Sequence, residues 1–323
     1  MQQWTLDEMP DQGDKTVVIT GASSGIGLES AIEFARRGAR VVMACRPGAK
    51  AERALDRVAE SAHDVPPQLV ALDLADLSSV RACAHAVNQT EDRIDVLMLN
   101  AGVMAVPRSK TVDGFESHFG TNHLGHFALA GLLMPLVLAS PEKRVVTTSS
   151  LAHWSGRIRW NDPNWTGRFY SPSLAYGQSK LGNLLFMREL DRRARAADLP
   201  LVSTAAHPGI AHTNLAHEHN NIFSRLFFDG FRRLGAQPAD LGALPLLYAA
   251  TVADVPGGSY WGPNGRLEVH GHPTRANASP AARDDAAAAR LWALSTELTG
   301  VDWEDTMPNK ASTDESSTEG DAR

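Results

Sequence analysis

The chain has 323 residues, 43% apolar and 21% charged, which is enough for one sizeable core and excludes disorder over the whole length. Lys plus Arg number 31 against 37 Asp plus Glu, a net charge of −6, which excludes the basic footprint of a nucleic-acid binder. The two cysteines, Cys45 and Cys83, cannot make a disulfide framework, and the residues before Lys15 include Asp7, Glu8 and Asp11 rather than a secretion signal. A cytoplasmic location follows as the expectation.

In chain order, β-branched and apolar runs predict strands at residues 16–20, 40–44, 68–72, 95–99, 144–148 and 201–205. Helical spacing fills the gaps, at residues 27–37 with Ile32, Phe34 and Ala35 inward and at 51–62 with Leu55 and Val58 inward. Residues 127–139 are apolar but shorter than the roughly 18 residues a membrane span needs, and they contain Pro135, so a buried helix is expected and no transmembrane segment. Strand and helix alternate throughout with crossovers long enough for helices. The expected fold class is therefore α/β: a doubly wound parallel sheet, three-layer α/β/α, in one Rossmann-type domain over residues 1–305. Residues 306–323, rich in Ser, Thr, Asp and Glu, read as a disordered tail. No repeat of 20 to 50 residues is visible. Two long connections break the rhythm: 152–173, with Trp154, Trp160, Trp165, Phe169 and Tyr170, and 207–238, with Phe223, Phe227, Phe228 and Phe231. Their aromatic content argues for ordered loops that either line a substrate or strap the core.

Directly after the first strand comes Thr20-Gly21-Ala22-Ser23-Ser24-Gly25-Ile26-Gly27, opening the first helix. Glycines let the backbone turn sharply and approach a pyrophosphate, while the helix amino terminus offers free N–H groups and a favourable dipole. In NAD-binding versions an acid at the end of the second strand holds the ribose 2′-hydroxyl. Here that strand ends Ala44-Cys45-Arg46, 19 residues beyond Gly27, with no acid between Arg40 and Lys50. Arg46 suits a 2′-phosphate, so NADP(H) is favoured over NAD(H). Asp73, after the third strand, is placed to accept from an adenine amino group or to cap the helix ahead of Ser78.

Tyr176 and Lys180 form YxxxK at the start of an apolar-periodic helix carrying Leu181, Leu184, Leu185, Met187 and Leu190. Spacing i, i+4 puts both on one face, where a cation favours the phenolate of an acid/base tyrosine. Ser149 and Ser150 end the fifth strand, Asn100-Ala101-Gly102 ends the fourth, and Asn122 lies on the intervening helix.

With these motifs in this order across roughly residues 16–213, together with Asp73-Leu74 and His207-Pro208-Gly209, the sequence resembles a short-chain dehydrogenase/reductase. The resemblance implies that Tyr176 donates the proton in reduction and acts as base in oxidation. It implies that Ser150 hydrogen-bonds the substrate carbonyl, that Lys180 holds the nicotinamide ribose and depresses the Tyr176 pKa, and that Asn122 supports a water relay to Lys180. The spacer from Ser150 to Tyr176 is long for the family, which leaves open whether Ser149 or Ser150 faces the site; Ser150 is the one that aligns. The resemblance extends the cofactor contacts to Ser23, Ser24, Gly25, Ile26, Leu74, Asn100, Ala101, Gly102, Pro208 and Gly209, with Thr213 on the carboxamide.

Within the family, Ala44-Cys45-Arg46, Asn122-His123-Leu124-Gly125-His126-Phe127 and the aromatic spacer look like the retinol-dehydrogenase and WW-domain-oxidoreductase-like branch, which commonly uses NADPH on lipophilic aldehydes, ketones or alcohols. No hydrophobic anchor precedes the first strand, as membrane-bound members have, which counts against retinoids in particular. Protochlorophyllide reductases share some motifs, but the reactive cysteine near their tyrosine has no counterpart, neither cysteine lying beyond position 83. Gly, Ala and Arg usage fits a GC-rich bacterial source. His207, His212, His217 and His219 read as a solvated loop rather than a metal site. Phe223, Leu226, Phe227 and Leu234 with Arg225, Arg232 and Arg233 read as a lid, with peripheral membrane contact as the alternative. Helices that pair subunits in relatives are apolar here, compatible with a homo-oligomer. The competing functions are a non-catalytic NADP(H)-binding sensor or scaffold on the same fold and a carbon–carbon double-bond reductase.

Overall fold

The structure is a computed structural model, and it describes residues 3–210 and 237–303. Eight strands form one sheet in the order β3-β2-β1-β4-β5-β6-β7-β8, parallel except that β8 runs antiparallel to β7. The strands are β1 (Thr16–Thr20), β2 (Arg40–Cys45), β3 (Gln68–Ala71), β4 (Val96–Leu99), β5 (Arg144–Thr148), β6 (Val202–Ala206), β7 (Tyr260–Pro263) and β8 (Pro273–Arg275). Central strands β1, β4 and β5 are buried at every position, as expected of a sheet covered on both faces. Alternation sends Val18, Leu97 and Val145 into one core with Phe127, Leu133, Phe186 and Trp292. It sends Val17, Ile19, Met98 and Val146 into the other with Ile32, Phe34 and Leu247.

The helices are α1 (Gly25–Arg36), α2 (Ala49–Ala59), α3 (Leu77–Thr90), α4 (Ser117–Phe119), α5 (Gly125–Ala139), α6 (Pro172–Ala196), α7 (Ala239–Thr251) and α8 (Asp285–Thr299). A π turn over Gly120–Leu124 joins α4 to α5, and the continuous run Ser117–Ala139 is apolar and long enough to cross a membrane. It packs against the sheet instead, with α5 buried from Gly125 to Gly131. Helix α6 opens on Ser171, whose side chain accepts from Leu174 N, followed by Pro172 in the first turn, where a missing N–H costs nothing.

All six predicted strands are present, and helix boundaries move by up to three residues; α2 starts at Ala49 and stops at Ala59 rather than spanning 51–62. Strands β7 and β8 had no sequence prediction, because residues as short and polar or Gly- and Pro-bearing as TyrTrpGlyPro and ProThrArg carry no strand pattern. Chain order reverses between β1 and β4, which opens a crevice at their carboxyl ends.

Candidate active site

The crevice is floored by the turn after β1. Gly21 and Gly25 adopt left-handed backbone with φ of +71° and +58°. A Cβ on Gly27 would lie 2.5 Å from Asn100 Nδ2 and 2.6 Å from the Gly21 carbonyl, and one on Gly21 would lie 2.9 Å from Ala101. Glycine is required there because the turn lies directly on the end of β4. Ser24 occupies the N-cap of α1 in extended backbone without a side-chain capping bond, so the first N–H groups of α1 face the crevice unsatisfied by a cap. Such a cradle fits a dinucleotide pyrophosphate.

Gly21 N donates to Ala44 O at 2.8 Å, which draws the end of β2 to the turn, and the Ser23 hydroxyl contacts the Cys45 thiol, whose pKa burial raises to about 11. Arg46 follows at the surface, and the charge of Lys50, in the first turn of α2, also acts on Cys45. Lys50 adds a second cation that the sequence reading did not single out. Asp73 is not the helix cap: Asp76 caps α3 by accepting from Ser78 N and Ser79 N, while Asp73 Oδ1 accepts from Ala75 N at 2.9 Å. Leu74 is buried, its carbonyl passing where a side chain on Gly125 would sit.

At the end of β4, Asn100 Nδ2 donates to Thr20 O at 3.0 Å, and the amides of Asn100 and Ala101 both donate to Thr20 Oγ1. A Cβ on Gly102 would meet Asn122 Oδ1 at 3.0 Å and Lys180 Nζ at 3.6 Å, so these three residues converge. Asn122, buried on the π turn, clasps Val103 by accepting from its N–H and donating to its carbonyl, and donates to Ser179 Oγ at 2.9 Å.

Ser149 and Ser150 take different directions. Ser149 is buried and donates to the Lys180 carbonyl at 2.9 Å, whereas Ser150 caps the 3-10 turn Leu151–Ser155, its hydroxyl accepting from Ala152 N, and is the group that pulls the Tyr176 phenol down. His153 holds Ser150 in place, donating from Nδ1 to its carbonyl at 2.7 Å while Nε2 accepts from Ser279 N. The expected depression of the Tyr176 pKa by Lys180 is not what the structure shows. Burial raises the phenol to about 12, with only Ser150 pulling it down. The Lys180 ammonium, 5.6 Å from the Tyr176 ring centroid, donates to Thr148 O at 3.2 Å, and burial lowers its own pKa to about 8.

Pro208 and Gly209 follow β6: Pro208 O accepts from Gln237, and Gly209 (φ +66°) has no room for a side chain against Val269 O. Thr213, the histidines at 212, 217 and 219, the aromatic and basic residues between 223 and 234, and the 306–323 tail lie outside the described residues.

Two groups around the tyrosine were not read from the sequence. Glu116, 2% exposed, accepts from His118 Nδ1 at 2.7 Å, from the amides of His118 and Phe119, and from Tyr170 Oη at 2.9 Å; the His118 ring meets the Tyr176 ring edge-on at 6.0 Å. Burial would raise the Glu116 carboxyl, but the bond and charge of His118 and the two amides outweigh it and hold it below its ordinary value. On the opposite side, Tyr260 of β7 is buried against the His153 and His207 rings, its phenol pushed well above the ordinary value by burial. His207 in turn hydrogen-bonds Glu268 at 3.0 Å. In the 152–173 connection, Trp165 is buried under Arg168 while Trp154 and Phe169 are exposed, so the loop both straps the core and presents aromatic surface. A cleft of about 550 Å³ beside α6, lined by Trp154, Met187, Arg188 and Tyr260 among others, does not include Ser150, Tyr176 or Lys180.

The sheet, the glycine cradle and the Ser–Tyr–Lys convergence coincide with a family match: the model described as short chain dehydrogenase covers residues 15–221. The chain belongs to the short-chain dehydrogenase family. It is 39% identical over 294 residues to human retinol dehydrogenase 13, covering 89% of this chain and 85% of that protein, and 40% identical to mouse retinol dehydrogenase 12, covering 90% and 88%. This places it in the retinol-dehydrogenase-like branch. A crystal structure of an uncharacterized protein from Mycobacterium Paratuberculosis shares 48% identity and superimposes with a TM-score of 0.77, covering 94% of this chain and 99% of that one. A short chain dehydrogenase from Shigella flexneri 2a complexed with NADP, 23% identical with a TM-score of 0.61 over 78% of this chain and 98% of that one, shares the fold. Short-chain dehydrogenases are oxidoreductases that use a nicotinamide cofactor on CH–OH or C=O groups, and this chain is one.

Proposed function

We propose that the protein transfers hydride between NADP(H) and a lipophilic aldehyde or ketone, or the matching alcohol, with Tyr176, Ser150, Lys180 and Asn122 as the catalytic set. The reading rests on one observation above the others: Asn122 Oδ1 and Lys180 Nζ converge on Gly102 at the carboxyl edge of the sheet, with the Lys180 ammonium 5.6 Å from the Tyr176 ring centroid, beside a glycine cradle whose neighbouring strand ends in Arg46 rather than an acid. The nicotinamide supplies or accepts the hydride.

The chain's own residues do the rest. The turn from Gly21 to Gly27 and the amino terminus of α1 would hold the pyrophosphate, Arg46 with Lys50 would take the 2′-phosphate, and Asp73 and the Asn100–Gly102 segment would flank the adenosine side. Lys180, near Asn122 and Gly102, holds the nicotinamide ribose. In reduction, Ser150 and Tyr176 donate hydrogen bonds to the carbonyl oxygen, which stabilises the charge that develops as hydride arrives at carbon. Tyr176 then gives its proton to that oxygen, forming the alcohol, and is reprotonated through Lys180. The names of the relatives, retinol dehydrogenases 12 and 13, support a lipophilic alcohol or aldehyde. Two buried free thiols fit a reducing compartment.

The test is the initial rate of NADPH and NADH oxidation against carbonyls graded from short and polar to long and apolar, with Tyr176→Phe as control. The reading expects NADPH-selective turnover that rises with apolar length and falls at least 10³-fold in Tyr176→Phe with NADPH affinity nearly intact. Tight NADPH binding without turnover on any carbonyl would point to a sensor. Turnover confined to conjugated double bonds, undiminished in the variant, would point to a carbon–carbon reductase.

A further inference from the structure

Behind the catalytic face, the polar groups of the crevice floor connect through one buried imidazole. His126, 2% exposed in the first turn of α5, lies between the end of β1 and the π turn: Nε2 is 2.8 Å from Thr20 Oγ1, and Nδ1 is 3.0 Å from the Asn122 carbonyl. Hydrogen-bond counting settles the protons. The Asn122 carbonyl only accepts, so Nδ1 carries the hydrogen. Thr20 Oγ1 has two acceptor sites and one proton, and both acceptor sites are taken, by Asn100 N at 2.9 Å and Ala101 N at 3.0 Å. Its proton therefore goes to a bare Nε2 at 2.8 Å in preference to Met98 O at 3.3 Å. A second hydrogen on the imidazole would leave Nε2–H facing an oxygen with no acceptor site to give it.

The same bonds continue on either side. Thr20 immediately precedes Gly21 and fastens the Asn100–Ala101 segment. Asn122 Nδ2 donates to Ser179 Oγ at 2.9 Å, and Ser179 Oγ donates to the Tyr176 carbonyl at 2.8 Å. One path thus runs Thr20, His126, Asn122, Ser179, Tyr176, from the pyrophosphate turn to the backbone of the acid/base tyrosine, through groups buried from solvent.

We infer that His126 is a positioning residue, a fixed Nδ1–H imidazole strut that sets the distance between the dinucleotide turn and the helix carrying Tyr176, so that hydride donor and proton donor stay in register. It touches neither cofactor nor substrate and acts through Thr20 and Asn122. As a statement about catalysis the inference rests on the function proposed above; as a statement about the imidazole it does not.

Three variants divide the strut. His126→Asn can keep a donor to the Asn122 carbonyl and loses Thr20; His126→Gln can keep an acceptor for Thr20 and loses Asn122; His126→Leu loses both. The strut needs both ends, so kcat falls tenfold or more in each while KM for the carbonyl moves less than threefold, at a temperature well below the unfolding midpoint of every variant. A merely structural role would lower the midpoint and leave kcat within twofold, and that result overturns the inference. The independent measurement is ¹⁵N NMR of the imidazole at neutral pH in the unmodified protein. Nδ1 protonated and Nε2 bare is expected; the Nε2–H tautomer or an imidazolium overturns the strut whatever the kinetics. If the unmodified protein turns over no carbonyl, the proposed function falls and the tautomer alone decides the strut.

Discussion

Replacing Lys180 by Met should make the protein more stable and less active at once. The side chain is 3% exposed, and burial lowers its pKa from 10.5 to about 8. At about 1.4 kcal/mol per unit, keeping that amine charged in the fold costs about 3 kcal/mol at pH 7. Methionine keeps the unbranched apolar stem, one atom shorter and without the charge, and the bond lost, from Nζ to Thr148 O at 3.2 Å, is worth about 1 kcal/mol. Thr148 O is not left bare, because Asn183 Nδ2 also donates to it at 2.9 Å. The balance predicts a gain of about 2 kcal/mol at pH 7, or about 4 °C in Tm. The gain has a pH signature. Since the folded pKa lies below the unfolded one, the unfolded chain holds a proton the native protein has released between pH 8 and 10.5, and the parent's stability rises there relative to the variant. Urea unfolding of both proteins from pH 7 to pH 10.5 measures the gap, which should be largest at pH 7, shrink through zero and reverse by up to about 1 kcal/mol once the charge cost is gone. A variant less stable than the parent at pH 7, or a gap that does not change with pH, refutes the claim that burial sets this lysine. Carbonyl turnover should fall at least a hundredfold in the same variant, the trade between stability and activity expected of a charge buried for function.

Other outcomes follow from the same geometry. Gly27→Ala places a Cβ within 2.6 Å of the Gly21 carbonyl and closer still to Asn100 Nδ2, so the turn must open, at about 1–3 kcal/mol, and dinucleotide affinity should drop tenfold or more by fluorescence titration; parent-like affinity would show the turn is looser than drawn. Arg46→Ala should weaken NADPH binding about tenfold or more and leave NADH nearly unchanged in calorimetric titration, and equal loss for both would remove Arg46 from the 2′-phosphate. Glu116 stays ionised below its ordinary value of 4.5, so its contribution to stability is complete above that pH and is lost as pH falls further. Glu116→Gln should be destabilised near pH 7 and approach the parent in acid unfolding below pH 4; a constant difference across that range would count against the paired carboxylate.

Much of the site was legible in the sequence where local chemistry alone sets it. The TGxxxGxG turn after a buried strand, Arg46 just past the end of β2 and the i, i+4 pairing of Tyr176 with Lys180 are consequences of spacing within one or two elements; the structure brings the turn against Asn100 and Ala101, and Lys180 to Asn122 and Gly102. Asp73 shows where such reasoning slips: two acids three residues apart both suit a cap, and only the start of α3 selects Asp76. Glu116, His118 and Tyr260 were invisible because each is an ordinary residue in its own segment and gains meaning only from partners far along the chain, as Glu116 does from Tyr170.

By itself, then, the amino-acid sequence determined the alternation of strand and helix, because strands buried on both faces must be continuous apolar runs and the crossovers between them must be amphipathic. It also determined the turn that only glycine can make against β4. Tertiary structure alone decided that Ser149 turns to the Lys180 carbonyl, that β7 brings Tyr260 against His153 and His207, and that His126 joins Thr20 to Asn122, the two ends of its imidazole meeting residues 106 and 4 positions away. It also decided the protonation of the site. A lysine beside a tyrosine lowers the phenol's pKa in water-like surroundings, but here desolvation acts on both groups and drives them apart from their ordinary values in opposite directions, and desolvation is a property of the assembled core rather than of any local stretch of residues.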